Sequence, residues 1–144
     1  MQYAIDSSII QNKKVLLFFD SDWSATGNIM KHTTFNDTAV VKMINNYFIP
    51  VLFSATSKDP VVYSNKTYIN EGKEHPFHQF AVDVLKGNMA FPVFALLTKE
   101  HTIIQVIPGY FTEESILPII EYFGSDSYIS KPWEEFMAAK KNSK

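Results

Sequence analysis

The sequence of 144 residues contains no cysteine. A chain without thiols forms no disulfide bond, and it carries neither a thiolate nucleophile nor a thiolate metal ligand. The redox compartment of the protein cannot be inferred from its cysteine content either. Any chemistry of this protein must therefore come from other side chains or from the backbone.

Basic stripes and long apolar runs are absent too, and each absence excludes a class of partner. Lys and Arg number 13 against 15 Asp and Glu, for a net charge of -2, and they are spread along the chain. Neutralising phosphates needs a basic stripe, so we expect no nucleic-acid partner. No run approaches the ~18 apolar residues of a membrane helix, so we expect no membrane insertion. Residues 1–14 lack the basic start and apolar middle of a signal peptide, so the protein is either not exported or has lost its signal.

The composition that remains is that of a globular protein. Hydrophobic residues make up 46% of the chain and charged residues 19%, so we expect a globular and not a disordered chain. At this length we expect a single domain over residues 1–144 that buries roughly two-thirds of its unfolded surface. A polar stretch predicts an insertion at about 55–74 within a core of about 13–124, and a C-terminal extension follows at 125–144.

A strand-to-helix junction early in the chain is the most informative stretch. The apolar run Val15–Phe19 is typical of a strand that is buried on both faces, although a buried helix has the same pattern. Ile29, Met30 and Phe35 follow at helical spacing, and Ser24 stands where an N-cap belongs. Ligands of open α/β sheets bind where strands end and helices begin. The junction is therefore a candidate site.

The periodicities predict a parallel strand pair joined by a helical crossover, then an antiparallel hairpin and closing helices. Pro50 fits an edge strand, and Pro118 should interrupt the first turns of its helix or mark its start. The tail Lys140–Lys144 is expected to fray. In the first half of the chain, the predicted elements are a helix over Tyr3–Gln11, a strand to Asp20, helices over 24–34 and from Asp37 to Tyr47, and a strand over Tyr47–Phe53. A hairpin of Val61–Tyr63 and Thr67–Ile69 follows, and then a helix from Pro76 to a stop at Gly87. The last predicted elements are strands over Phe91–Leu97 and Ile103–Ile107, a helix capped by Thr112, and a helix from Pro132.

The residues of the junction resemble the active-site segment of thioredoxin-like proteins, in which an apolar strand precedes Asp-Trp-Cys-x-x-Cys and a helix that carries a Met. Trp23 matches the Trp, whereas Ser24 and Gly27 stand at the positions of the two cysteines. Phe91-Pro92 resembles the cis-proline position of the family. Further matches are Thr33–Asp37, Pro108–Tyr110, Tyr122–Gly124 and Pro132–Phe136, the last two resembling the tail of exported, disulfide-isomerase-like members.

The resemblance implies an α/β, thioredoxin-like fold: a central mixed sheet of four to five strands flanked by helices, with an inserted hairpin and an extra C-terminal helix. It also implies an exported, periplasmic protein whose signal has been removed. In the family, the first cysteine is activated at a helix N-terminus and the second resolves the mixed disulfide. A Ser24 hydroxyl is barely ionised at neutral pH and Gly27 offers no nucleophile, so we expect no dithiol–disulfide catalysis. Natural loss and engineered replacement of the cysteines both stay open as the origin.

A peptide groove needs no sulfur, and the resemblance implies one. In thioredoxin-like folds the backbone of the residue before the cis-proline pairs with an extended peptide, which is a form of strand addition. The candidate peptide-binding residues are Trp23, Ser24, Ala25, Phe91 and Pro92. The predicted function is a redox-inactive domain that binds a partner polypeptide or client protein, as a chaperone-like or scaffolding module of unspecified oligomeric state. The alternatives are a thiol–disulfide oxidoreductase by family whose Cys-x-x-Cys is lost or replaced, and a purely structural subunit.

Simpler roles compete with the functional ones for several of these residues. Ser24 also fits a plain helix cap, Pro92 a turn into a strand, and Trp23 a core or lid position. His75 and His78 have a spacing found in metal sites, but no cysteine or convincing third carboxylate accompanies them. We therefore predict capping or surface roles for these histidines, no metal site and no cofactor. Asp20 and Asp22 flank the junction, where the family often places a buried acid as a proton relay. Without a thiol such a group has nothing to serve, so both are interpreted as turn or capping residues.

Overall fold

A computed structural model describes residues 13–20, 25–63, 66–72, 76–100 and 102–142, with the backbone alone at positions 26, 27, 63 and 142. Within these ranges a four-stranded sheet has the order β2–β1–β5–β6. The parallel pair is β1 (Lys14–Asp20) and β2 (Phe48–Ser54), whereas β5 (Val93–Leu97) is antiparallel to both β1 and β6 (Ile103–Pro108). β3 (Val61–Tyr63) and β4 (Lys66–Tyr68) form a separate hairpin. The predicted mixed sheet and inserted hairpin are confirmed.

The described ranges also contain six α-helices and a short 3₁₀ turn at Thr34–Asn36. Two helices connect the parallel strands, one precedes β5, and three follow β6. The predicted helix over Tyr3–Gln11 lies outside the described residues. The helices are α1 (Ala25–His32), α2 (Thr38–Tyr47), α3 (Gln79–Leu85), α4 (Glu113–Gly124), α5 (Ser127–Ser130) and α6 (Trp133–Asn142).

Strand β1 is apolar throughout because both of its faces are buried. Val15, Leu17 and Phe19 face a cluster that α3 and the hairpin complete, whereas Leu16 and Phe18 face α1, α2 and α4 on the other side. Burying a side chain of this size stabilises the fold by about 1.5–3 kcal/mol. Position within the sheet, between β2 and β5, thus explains the continuous apolar run.

Two predicted helix starts differ in their outcome. The side chain of Asp37 caps α2 by accepting hydrogen bonds from the backbone N–H groups of Ala39 and Val40, as predicted. The prediction of a helix start at Pro76 is wrong, because α3 begins at Gln79. The backbone N–H of Gln79 donates to the Ile69 carbonyl, which ties the start of α3 to the end of the hairpin.

The C-terminal part differs from its prediction in three ways. Pro118 neither starts nor interrupts α4, which begins after the Thr112 cap. The Glu114 carbonyl that loses its helical donor at Pro118 belongs to an exposed residue, where water can take that place. Helix α5 was not predicted, and α6 continues to Asn142, with the Lys140 ammonium 2.7 Å from the Glu121 carboxylate. The first residues of the tail that was expected to fray, Lys140 to Asn142, thus form the last turn of α6, and the fraying itself stays a prediction.

Candidate functional site

The C-terminal ends of β1 and β6 and the N-terminal end of β5 lie side by side at one end of the sheet. Phe19 pairs with Val93, so Pro92 lies level with Asp20, the last residue of β1. Val93 pairs with Pro108, which places Gly109 beside Pro92, and the Gly109 N–H donates to the Pro92 carbonyl at 2.9 Å. Neighbouring strands are about 4.8 Å apart, so these residues form one continuous row.

The residue before β5 anchors this row to the core. The Phe91–Pro92 peptide bond is cis, and Pro92 is buried. The Phe91 ring is half-buried and lies 5.9 Å from the Phe77 ring between centroids. Its side chain packs against the cluster beneath β1, so the backbone at this point is held in a fixed place. We use the name strand-end site for Asp20, Phe91, Pro92 and Gly109.

A loop after β6 closes one side of the strand-end site. Gly109 has a φ of +111°, a conformation that residues with a Cβ rarely adopt. Tyr110 follows and remains 42% exposed, whereas the Phe111 ring packs 5.9 Å from that of Phe94. The Thr34 hydroxyl donates to the Phe111 carbonyl at 2.6 Å. The loop is thereby tied to the 3₁₀ turn that follows α1.

Helix α1 follows β1 in the chain and is linked to Asp20 through Lys31. Met30 is fully buried and fixes the helix against the core. Ala25 and Ile29, one turn apart, are exposed, with 52% of the Ile29 surface accessible. Ala25 and Ile29 are therefore apolar side chains of α1 that are open to solvent, next to the exposed Asn28.

The buried Asp20 carboxylate is part of the strand-end site, and its ion-pair partner was not predicted from the sequence. One oxygen of Asp20 is 2.8 Å from the Lys31 ammonium, which links the end of β1 to α1. The other oxygen is buried and has no hydrogen-bond partner among the residues described. Asp20 is thus the final residue of a strand and part of an ion pair, where a turn or capping role was predicted. The signals for a buried acid were its place at the end of an apolar run and the buried acid that the family often has there, and a lysine follows in the next helix.

The predicted site residues fall into two groups. Ala25, Phe91 and Pro92 are described: Phe91 and Pro92 lie at the strand-end site, and Ala25 starts α1. Gly27 lies in the first turn of the same helix. Trp23 and Ser24 lie outside the described residues, so their assignment to the groove remains a prediction.

The histidine considered for a metal site is part of the core. His78 is fully buried, and its Nδ1 accepts a hydrogen bond from the Phe80 backbone N–H, which caps α3. Its Nε2 lies 2.8 Å from the Asp59 carbonyl, to which it must donate because Nδ1 is the acceptor. Both ring nitrogens are thus occupied by protein groups. His75 lies outside the described residues, and within those residues no three His, Cys, Asp or Glu side chains form a potential metal site.

The fold and the site together define a class. A parallel strand pair, an antiparallel pair after it, helices on both faces and a cis-proline beside the first strand are the features of thioredoxin-like proteins. The family model for the thioredoxin-like domain matches residues 1–124. The chain therefore belongs to the thioredoxin-like domain family, although it contains no cysteine.

Solved structures of low sequence identity share this fold. The disulphide isomerase from Xylella fastidiosa Temecula1 is 11% identical, with a TM-score of 0.61 over 85% of this chain and 86% of that chain. A thioredoxin-fold protein from Helicobacter pylori is 18% identical, with a TM-score of 0.64 over 92% and 82%. The pneumococcal exposed lipoprotein thioredoxin Etrx1 from Streptococcus pneumoniae is 15% identical, with a TM-score of 0.54 over 81% and 88%.

Two further comparisons gave negative results. None of the curated proteins compared with this chain matches it. Across the described ranges, every helix is too short or too polar to cross a bilayer.

Proposed function

We propose that this domain binds an extended segment of a partner polypeptide at the strand-end site, without thiol–disulfide chemistry. The observation that carries the proposal is the position of Phe91 and Pro92 level with the end of β1, in a chain that contains no cysteine. An extended peptide can bind there through main-chain hydrogen bonds and can place side chains against the neighbouring surface. None of these interactions needs sulfur.

The surroundings of the strand-end site suit an apolar peptide. Ala25, a predicted groove residue, and Ile29 are exposed on α1, and the exposed Tyr110 directly follows Gly109 in the loop after β6. A half-exposed tyrosine offers an apolar ring together with a hydrogen-bonding hydroxyl, which suits varied sequences. Trp23 and Ser24 are proposed as additional contacts, the first by stacking and the second by its hydroxyl.

The domain then acts as a chaperone-like or scaffolding module. Dithiol exchange needs two thiols, and Gly27 occupies the position of the second one within α1. We further propose that the protein is exported. This proposal is supported by the tail segments that resemble exported members and by the similarity to an exposed lipoprotein thioredoxin.

The test uses an exposed position, because Phe91 is packed against the core and its replacement would disturb folding. Ala25→Arg places a bulky charge at the start of α1 and should weaken binding of a polypeptide to the strand-end site. The probe is reduced and carboxymethylated lysozyme, an unfolded chain without free thiols, and fluorescence anisotropy measures its affinity. We expect a loss of about tenfold, equivalent to ~1.4 kcal/mol.

Ala139→Arg is the matched control, since it makes the same change on an exposed turn of α6. It should bind the probe as the unmodified protein does. Equal affinities of both variants would overturn the strand-end site, and no binding by the unmodified protein would overturn the proposed function. Reduction of insulin by the unmodified protein with a reductase system would contradict the absence of redox chemistry.

A further inference from the structure

The chain between β2 and α3 is tied to the strand-end site at both of its ends. We call residues 55–78 the inserted segment, and its described parts are 55–63, 66–72 and 76–78. At its start, the Ala55 N–H donates to the carbonyl of Asp20, the last residue of β1, at 2.8 Å. At its end, the His78 N–H donates to the Ala55 carbonyl at 2.7 Å. The two ends of the inserted segment therefore meet beside Asp20.

Phe77 connects the inserted segment to a second residue of the strand-end site. The centroid of its ring lies 5.9 Å from that of Phe91, and the two rings are tilted by 39°. Both rings are half-buried and pack against the same cluster beneath β1. Aromatic pairs at this distance attract each other beyond the area that they bury, so the place of Phe91 depends on that of Phe77.

Asn70 holds the chain directly before Phe77. Its side-chain amide donates to the Pro76 carbonyl at 2.9 Å and to the Ser57 carbonyl at 3.0 Å. Its side-chain oxygen accepts a hydrogen bond from the Gly72 N–H at 3.1 Å. One carboxamide thus joins the start and the end of the inserted segment to the residues after the hairpin. A carboxylate could only accept, so it could not replace the two donated bonds.

Other bonds attach the hairpin to α3 without Asn70. The Gln79 N–H donates to the Ile69 carbonyl at 3.0 Å, and the Tyr68 hydroxyl donates to the Asp83 carboxylate at 3.1 Å. Loss of the Asn70 amide should therefore release the chain at Pro76 and Phe77 while the hairpin and α3 stay in place.

We infer that Asn70 is a positioning residue of the strand-end site, which acts through Phe77 on the backbone of Phe91. The inference rests on the proposed binding of a polypeptide at this site and adds that the inserted segment sets the affinity. Binding at Phe91 and the placement of the inserted segment are thus coupled in free energy. Such coupling is reciprocal, so a bound polypeptide stabilises the inserted segment in turn.

The test changes Asn70 to Asp, which removes both donated bonds and keeps the oxygen that accepts from Gly72. This variant should bind reduced and carboxymethylated lysozyme about fivefold more weakly or worse, as is typical of coupled sites. Without the probe, its amide resonances at Phe91 and Gly109 should differ from those of the unmodified protein. Phe77→Leu keeps an apolar side chain but loses the ring contact. It should weaken binding in the same direction, and it decides the question if Asn70→Asp does not fold.

Hydrogen exchange measures the reciprocal effect in the unmodified protein. The amides of Ala55 and His78 form the two bonds that close the inserted segment beside Asp20. Addition of the lysozyme probe should slow their exchange by a larger factor than that of the amides in α2. An equal factor in both places would contradict the coupling, because it would show stabilisation of the fold as a whole.

Two control variants separate positioning from a general loss of stability. Asn46→Asp makes the same chemical change on an exposed residue of α2, next to the start of β2 and so at the far end of β1 from Asp20. Asp37→Ala removes the cap of α2 and lowers stability away from the inserted segment. Both controls should bind the probe as the unmodified protein does, and a loss of affinity in Asp37→Ala equal to that in Asn70→Asp would overturn the positioning role.

The inference and the proposed function fail in different ways. If the unmodified protein does not bind the probe, the proposed function is overturned, and the inference with it. If the unmodified protein binds but Asn70→Asp and Phe77→Leu bind equally well, the inference alone is overturned. Unchanged resonances of Phe91 and Gly109 in Asn70→Asp would also overturn it, whatever the affinity for the probe.

Discussion

The roles of single residues in this protein depend on partners that lie outside the local pattern. His78 lies in a His-x-x-His spacing and caps α3, one of the roles predicted for it, while its second ring nitrogen bonds the Asp59 carbonyl. Asp20 ends the apolar strand β1, where a turn or capping role was predicted, yet it is buried and paired with Lys31. In both cases the partner comes from another element, so burial and hydrogen bonding decide the role.

His78→Ala should lower the free energy of unfolding by roughly 3 kcal/mol. The change removes the cap of α3, leaves the Asp59 carbonyl without its donor and opens a cavity at a fully buried position. Urea unfolding followed by circular dichroism measures the difference. His78→Asn keeps an N-cap acceptor and should lose clearly less. Identical losses in both variants would argue against the capping role.

At the scale of elements, the predicted helix caps, which depend on a few neighbouring residues, were confirmed. Asp37 and Thr112 cap α2 and α4 as predicted, because a cap depends on backbone groups only two or three residues away. The predicted start of α3 at Pro76 was wrong, because the chain is still extended at His78. The Gln79 N–H is bonded to the carbonyl of Ile69, at the end of the hairpin, and the prediction had no means to include this contact. A helix boundary is thus predictable only where no other element competes for its first turn.

Asp37→Ala should destabilise the protein by about 1 kcal/mol through loss of the α2 cap. At this chain length the melting temperature should fall by about 3 °C. Differential scanning calorimetry provides the measurement, and Asp37→Asn, which retains a capping oxygen, should stay close to the unmodified protein. If the asparagine variant fell as far as the alanine variant, the carboxylate charge and not the cap would explain the loss.

At the scale of the whole molecule, the last two helices complete an aromatic cluster outside the sheet. The Tyr122 ring lies 5.2 Å from that of Trp133 and 5.0 Å from that of Phe136, between centroids. Its hydroxyl donates to the Lys131 carbonyl at 2.7 Å. The family match ends at residue 124, so this cluster joins the matched part to the helices that follow it.

A chain that ends at Ser125 should fold but should be less stable by roughly 3 kcal/mol. It keeps both clusters that flank the sheet, whereas Tyr122 loses the aromatic rings that cover it. Guanidinium unfolding of the truncated and full chains gives the difference. The control Ile129→Ala alters a side chain that is 70% exposed and should change stability by less than ~0.5 kcal/mol. A truncated chain without dispersed amide resonances would show that the fold requires α5 and α6.

The strand pattern, the order of elements and the absence of thiol chemistry could be read from the residues themselves. Val15–Phe19 could be assigned because its burial on both faces leaves a continuous apolar run, and Pro50 because its missing N–H suits only an edge. Cysteine content is a property of the chain alone. These features depend on local composition and geometry, which the order of residues fixes directly.

The Asp20–Lys31 pair and the row from Asp20 to Gly109 could not be predicted in this way. Each joins residues that are distant in the chain, and their contact depends on the register of the strands and on the packing of α1 and α2 over the sheet. Register and packing depend on the sum of many weak interactions across the core. The folded arrangement therefore sets which of the exposed groups share a surface and can bind the same partner.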